Sequence, residues 1–80
     1  MKILSRLDNP PFRVSKSDRK IISFIRTRLT DIPRMTIREI ALACGTAEAT
    51  CTRFVRKMGF AGLADFKAAL AEEGAELGRY

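Results

Sequence analysis

Histidine and tryptophan are missing from this chain, and tyrosine occurs once. Histidine is the side chain most often used for proton transfer, and no other residues here pair a nucleophile with a base. An enzyme is therefore not expected. Cysteine is scarce as well. Cys44 and Cys51, with no histidine to join them, do not make a zinc set, and in a reducing compartment they read as small buried hydrophobes. No metal and no cofactor are expected. Long apolar runs are also lacking: the longest, Ile40 to Cys44, is five residues, against the roughly 20 that cross a bilayer. Lys2 and Arg6 interrupt the start of the chain before an apolar stretch can form, so no secretory leader is expected. These absences point to a cytoplasmic protein without membrane contact.

What is present is positive charge on a chain of foldable composition. The 80 residues suffice for one small domain, and 46% hydrophobic content is too much for a disordered tail. Fifteen lysines and arginines face nine acids, a formal charge of +6. The imbalance is uneven. Residues 1–64 hold thirteen basic and five acidic side chains, while residues 65–80 hold two and four. A cationic body ahead of a mildly acidic tail suits a polyanion such as DNA or RNA, or an anionic membrane. It suits equally a soluble domain with a solvated surface, and charge alone does not separate the two.

The patterning is helical throughout. No stretch alternates apolar and polar residues long enough for a strand. A short amphipathic opening carries Ile3, Leu4 and Leu7 on one side, and Pro10-Pro11 ends it. Ser15, with Asp18 three residues on, forms a capping box for a helix over about Lys16 to Leu29. Ile21, Ile22, Phe24, Ile25 and Leu29 share one arc of it, with Arg19, Ser23, Arg26 and Thr27 opposite. Thr30 to Met35 reads as a loop fixed by Pro33. Thr36 and Glu39 form a second capping box, for a short helix over about Ile37 to Ala43. Gly45 turns the chain, and another helix runs from about Ala47 to Lys57 and is closed by Gly59. A last helix spans about Gly62 to Glu73 and buries Leu63, Phe66 and Leu70. Gly74 and Gly78 read as interruptions of the end.

A capped short helix, a glycine turn and a longer basic helix outline a helix-turn-helix. Ala41 is small where the two helices must cross, and Cys51, Phe54, Val55 and Met58 form the inward stripe of the second. Ala49, Arg53 and Arg56 point away from that stripe, flanked by Thr52 on one side and Thr50 and Lys57 on the other. Small residues in the first turn let a helix end enter the major groove, and arginine reaches guanine edges or phosphates. The expected base contacts are Ala47, Glu48, Ala49, Thr52 and Arg53, with Arg53 foremost. The expected phosphate contacts are Thr36, Thr46, Thr50, Arg56 and Lys57. Bland readings stand beside these. Thr36 caps its helix, Glu48 favours the helix dipole, and Phe54, Phe60 and Phe66 are core rather than a stacking platform.

The stretch Met35-Thr36-Ile37-Arg38-Glu39-Ile40-Ala41, then Gly45-Thr46-Ala47-Glu48-Ala49-Thr50, then Arg53-Phe54-Val55-Arg56-Lys57-Met58-Gly59-Phe60 resembles the N-terminal domain of the RpiR family of bacterial transcription regulators. Gly62-Leu63-Ala64-Asp65-Phe66-Lys67 and Ser15-Lys16-Ser17-Asp18-Arg19-Lys20 extend the likeness over about residues 3–73. The resemblance implies a homodimer on a palindromic operator. It also implies a phosphosugar effector, sensed by a C-terminal sugar isomerase domain that these residues do not include. Two positions depart from the pattern. Ala47 stands where the family has a capping serine, which leaves Thr46 to cap if the helix starts a residue early. Cys51 replaces valine.

The expectation is an all-α single domain of about five helices with a homeodomain-like three-helix core. Residues 1–73 form the helix-turn-helix domain and residues 74–80 a linker or frayed tail. Its function would be sequence-specific binding of double-stranded DNA in a transcription regulator of sugar-phosphate or carbohydrate metabolism. A basic helical protein-interaction module and a non-specific DNA binder are the rivals. Ile3, Leu4 and Leu7, with the last helix, are expected at the dimer surface.

Overall fold

Local chemistry decides where each helix begins and ends. In a computed structural model, residues 2–77 are described, apart from the side chains of Lys2, Leu4 and residues 74–77. The elements are α1 (Lys2–Asp8), α2 (Lys16–Thr27), a 3-10 turn (Ile32–Arg34), α3 (Ile37–Cys44), α4 (Glu48–Lys57) and α5 (Leu63–Leu77). No strand occurs among the described residues. Both capping boxes form. Ser15 Oγ accepts from the Asp18 N–H at 3.1 Å, and the Asp18 carboxylate accepts from the Ser15 N–H at 2.9 Å. Thr36 and Glu39 repeat the exchange at 3.1 and 2.8 Å.

Two glycines stop α3 and α4 in the same way. Gly45 sits at φ 73°, ψ 32°. Its N–H donates to Leu42 O at 3.2 Å and that of Thr46 to Ala41 O at 3.0 Å, which satisfies the last carbonyls of α3. Gly59, at φ 100°, ends α4 with bonds from its own N–H to Arg56 O and from Phe60 N–H to Val55 O. Residues with a Cβ rarely adopt that left-handed backbone, so both turns favour glycine.

The core gathers one stripe from every element. Ile21 and Ile25 of α2, Ile40 and Ala41 of α3, Cys51, Phe54 and Val55 of α4, and Phe66 and Leu70 of α5 are buried together. Phe12, in the loop before α2, meets Phe54 edge-on with ring centres 5.8 Å apart, and Phe60 meets Phe66 at 5.4 Å.

Several boundaries and roles differ from the sequence reading. Helix α2 stops at Thr27 rather than Leu29: Arg28 leaves helical geometry at φ −130°, ψ 35°. The 30–35 segment is more than a loop. Pro33 helps to start a 3-10 turn that buries Ile32 to 1% exposure and packs on α5. Helix α5 continues past Gly74 to Leu77, since a single glycine costs only about 1 kcal/mol in a helix. Gly78 lies outside the described residues.

The largest difference is at α1. Ile3 is 0% and Leu7 3% exposed, both inside the core of a single chain, so neither is left over for a dimer surface. The short helix covers its own domain by packing on α5. The side chain of Leu4 lies outside the described residues. Truncating a buried leucine leaves a cavity, so Leu7→Ala should lower stability by about 2–5 kcal/mol. A urea melt monitored by circular dichroism measures the loss, which should be independent of protein concentration because the contact is internal.

Candidate nucleic-acid interface

Helix α4 carries three basic side chains, Arg53, Arg56 and Lys57, against one acid, Glu48. Its inward stripe, Cys51, Phe54, Val55 and the following Met58, is almost fully buried. The opposite side therefore faces water by helical geometry. Ala49, Arg53 and Arg56 are exposed there and Thr52 is half-buried at the edge, while Ala47 and Glu48 are exposed at the N-terminal end of the helix, in phase with the buried Cys51 and Val55. Ala49 and Arg53, proposed to read bases, and Arg56, proposed to hold a phosphate, thus share one face, with Thr52 at its edge and Ala47 and Glu48 at the helix tip.

The remaining candidates are placed less uniformly. Thr36 is exposed at the start of α3 with its hydroxyl accepting from Glu39 N–H. Thr50 is half-buried, and its Oγ1 accepts a long bond of 3.4 Å from Arg53 Nη2, which lays the arginine along the helix. Thr46 does not cap α4. The cap position is Ala47, with no side-chain bond, and Thr46 Oγ1 lies 3.4 Å from Cys51 Sγ. The first turn of α4 accordingly begins without a side-chain acceptor for its N–H groups.

Lys57 is turned to the flank. Its ammonium donates to Asp18 Oδ2 at 2.7 Å and sits 4.8 Å from the centre of the Phe12 ring. The Asp18 side chain is 3% exposed and that of Lys57 39%. Burial would raise the Asp18 pKa. The hydrogen bond from Lys57, those from the Ser15 backbone and hydroxyl, and the Lys57 charge outweigh it, so the carboxyl titrates below its ordinary 3.8. Sequence reasoning saw Asp18 only as a cap. The missed signal was its phase: Asp18, Ile21 and Ile25 fall at i, i+3 and i+7, which puts an acid on an apolar stripe, where it needs a cationic partner.

The ion pairs explain why the outward face stays positive. Of the five acids in residues 1–64, Asp8 pairs with Arg26, Asp31 with Arg28 and Arg34, and Asp18 with Lys57. Glu39 is held by the Thr36 N–H. The remaining acid, Glu48, is exposed in the first turn of α4, and no ion pair to Arg53 or Arg56 occurs among the described residues.

The two cysteines do not form a reactive site. Both are free thiols in the core. Burial, with a smaller contribution from Cys51, pushes the Cys44 thiol up to about 11, so at neutral pH it carries almost no thiolate. No cluster of metal-ligating side chains occurs among the described residues, and no helix among them is long and apolar enough to cross a membrane.

Two helices joined by a left-handed glycine, the second resting on an apolar stripe and carrying uncompensated arginines outward, define a helix-turn-helix DNA-binding domain. Comparison with known proteins narrows the class. The helix-turn-helix domain of the rpiR family matches residues 1–76, and the chain belongs to that family. An uncharacterized HTH-type transcriptional regulator of Clostridium perfringens is 45% identical over 73 residues, which is 91% of this chain and 26% of the relative. The solved structure of the Vibrio vulnificus NanR protein complexed with ManNAc-6P superposes with a TM-score of 0.84 at 36% identity. That match covers 95% of this chain and 29% of the other. The 80 residues thus span little more than a quarter of these relatives.

Two outcomes test the local account. Because the Asp18 pKa is lowered on folding, its contribution is fully present above the ordinary value of 3.8 and is lost as pH falls through the folded-state value. Urea midpoints of the wild type should fall with pH below 3.8 more steeply than those of Asp18→Asn, whose midpoint should be lower at pH 7. Ala47→Ser should add a cap to α4 and raise stability by about 0.5–1 kcal/mol, read from the same melts.

Proposed function

We propose that this domain binds double-stranded DNA sequence-specifically, with α4 in the major groove. The observation that carries the reading is the outward placement of Arg53 and Arg56, with no ion pair to either among the described residues, on a helix that begins at an uncapped alanine. Arg53 leaves Thr50 to reach a guanine edge, while Ala47, Glu48, Ala49 and Thr52 shape the approach to the bases. Thr36, Thr46, Thr50 and Arg56 hold phosphates. Lys57 joins them without leaving Asp18, since an ammonium has three donors and one is in use.

The chain acts as residues 1–73 of DNA-binding domain, with 74–80 leading on towards the rest of a larger regulator. That regulator works as a homodimer in the cytoplasm, on the nucleoid. It places two α4 helices about 34 Å apart on a palindromic operator. The NanR structure holds a sugar phosphate, and the likeness supports a phosphosugar effector here too, acting through a separate domain to control carbohydrate genes.

Selection from a randomised duplex pool, followed by titration of the winning duplex and a scrambled copy, tests the core of this reading. The logarithm of affinity should fall with that of salt at a slope of about −4 to −9, the signature of about 4–10 phosphate contacts. Arg53→Ala should remove about 1–3 kcal/mol of the preference for the selected sequence. Equal binding of both duplexes by the wild type, or an unchanged preference in Arg53→Ala, would reject the assignment.

A further inference from the structure

We propose that α1 is a strut holding the C-terminal end of α4, that Arg6 is the residue that positions it, and that Glu73 on α5 sets the strut. The use made of the strut in binding rests on α4 being the DNA-contacting helix.

The contacts at α4 come first. Arg6 Nη1 donates to Met58 O at 2.5 Å. Met58 caps α4, so its carbonyl lies at the negative end of the helix dipole, where a guanidinium is favourable. The Arg6 side chain also lies over the Phe60 ring, 5.9 Å from its centre. Between these two residues Gly59 leaves the space that Arg6 occupies: a Cβ there would stand 2.9 Å from Arg6 Nη1. Arg6 thus closes over Met58, Gly59 and Phe60, the turn that fixes where α4 ends.

The other end of α1 is held by α5. The Ile3 N–H donates to Glu73 Oε2 at 2.8 Å in a buried setting. Helix α1 has no acid in its own first turn, and Glu73 supplies the negative group that its N-terminus favours. The second carboxylate oxygen, Oε1, has no hydrogen-bond partner among the described residues, so the bond to Ile3 carries the placement of this acid. Along the helix, Ile3 and Leu7 face the core, and Asp8 at its C-terminal end pairs with Arg26 of α2. A helix of seven residues is about 10 Å long and moves as one piece. A shift of the distal part of α5 that displaces Glu73 therefore moves Arg6, and with it the end of α4 that bears Arg56 and Lys57.

The test uses Arg6→Ala, Arg6→Lys and Glu73→Ala, with the double alanine variant, each held well below its unfolding midpoint. Amide hydrogen exchange needs no DNA. The Gly59 and Phe60 amides, bonded to Arg56 O and Val55 O, should exchange about tenfold faster in Arg6→Ala and also faster in Glu73→Ala. Affinity for a duplex selected from a randomised pool should fall about tenfold in Arg6→Ala and be largely restored by lysine. The double variant should be no worse than Arg6→Ala, because one path serves both residues. Additive losses, or unchanged exchange at Gly59 and Phe60 in Glu73→Ala, would overturn the strut. A wild type that binds no duplex, with the exchange changes intact, would instead remove the DNA reading and leave the mechanical link standing.

Discussion

A single left-handed residue governs the geometry of this domain. Gly45 reverses the chain at φ 73° and lets Thr46 and Gly45 satisfy the last carbonyls of α3 from within the turn. The α3 helix can then stop after eight residues, and α4 can start at Glu48 after a three-residue turn and pack across it. Nothing lies within 4 Å of where a Gly45 Cβ would stand, so the constraint is the backbone angle and not space. Once the crossing is set, burial of Cys51, Phe54, Val55 and Met58 leaves only one rotation of α4 about its axis. The exposed face is then a consequence of the buried one.

Charge is organised around the same helix. A domain with this excess of cations folds more readily if its few acids lie beside basic side chains, and three of them do. Asp18 is buried against Lys57, while Asp8 and Asp31 meet arginines at helix ends. The exposed pairs contribute little individually, about 0–1 kcal/mol. Their effect on the surface is larger than their effect on stability. Because Asp8, Asp18 and Asp31 are engaged elsewhere, none of them offsets Arg53 and Arg56 on the outward side of α4.

Much of this was legible because it is local. Capping boxes occupy four residues, glycine turns occupy two, and the stripe of α4 repeats every three or four. The wheel therefore identified the outward residues correctly: Ala49, Arg53 and Arg56 are exposed and Cys51, Phe54 and Val55 are buried. What the sequence did not disclose were pairings over distance. Lys57 and Asp18 are 39 residues apart, Arg6 and Met58 52, Ile3 and Glu73 70. The amphipathic pattern of α1 was visible, but not which surface would cover it, so Ile3 and Leu7 looked available to a second copy. Ile32 was hidden for another reason: beside Pro33, a three-residue turn has no periodicity to read.

The asymmetry of α4 follows from these contacts taken together. Its C-terminal end is held three ways, by the turn at Gly59, by Arg6 on Met58 O and by Lys57 on Asp18. Its N-terminal end is held by the Gly45 turn and by the buried Cys51, with an alanine where a cap would sit. A side-chain cap there would take up one of the free N–H groups and add bulk to the first turn. An alanine leaves those donors without a side-chain acceptor, and Glu48 is the acid that meets the positive end of the dipole. Long-range side-chain anchors are thus concentrated at the C-terminal end, and the N-terminal end, which carries Ala47 and Ala49, has none of them. A rod anchored at its base with a bare tip is the arrangement that entering a groove requires.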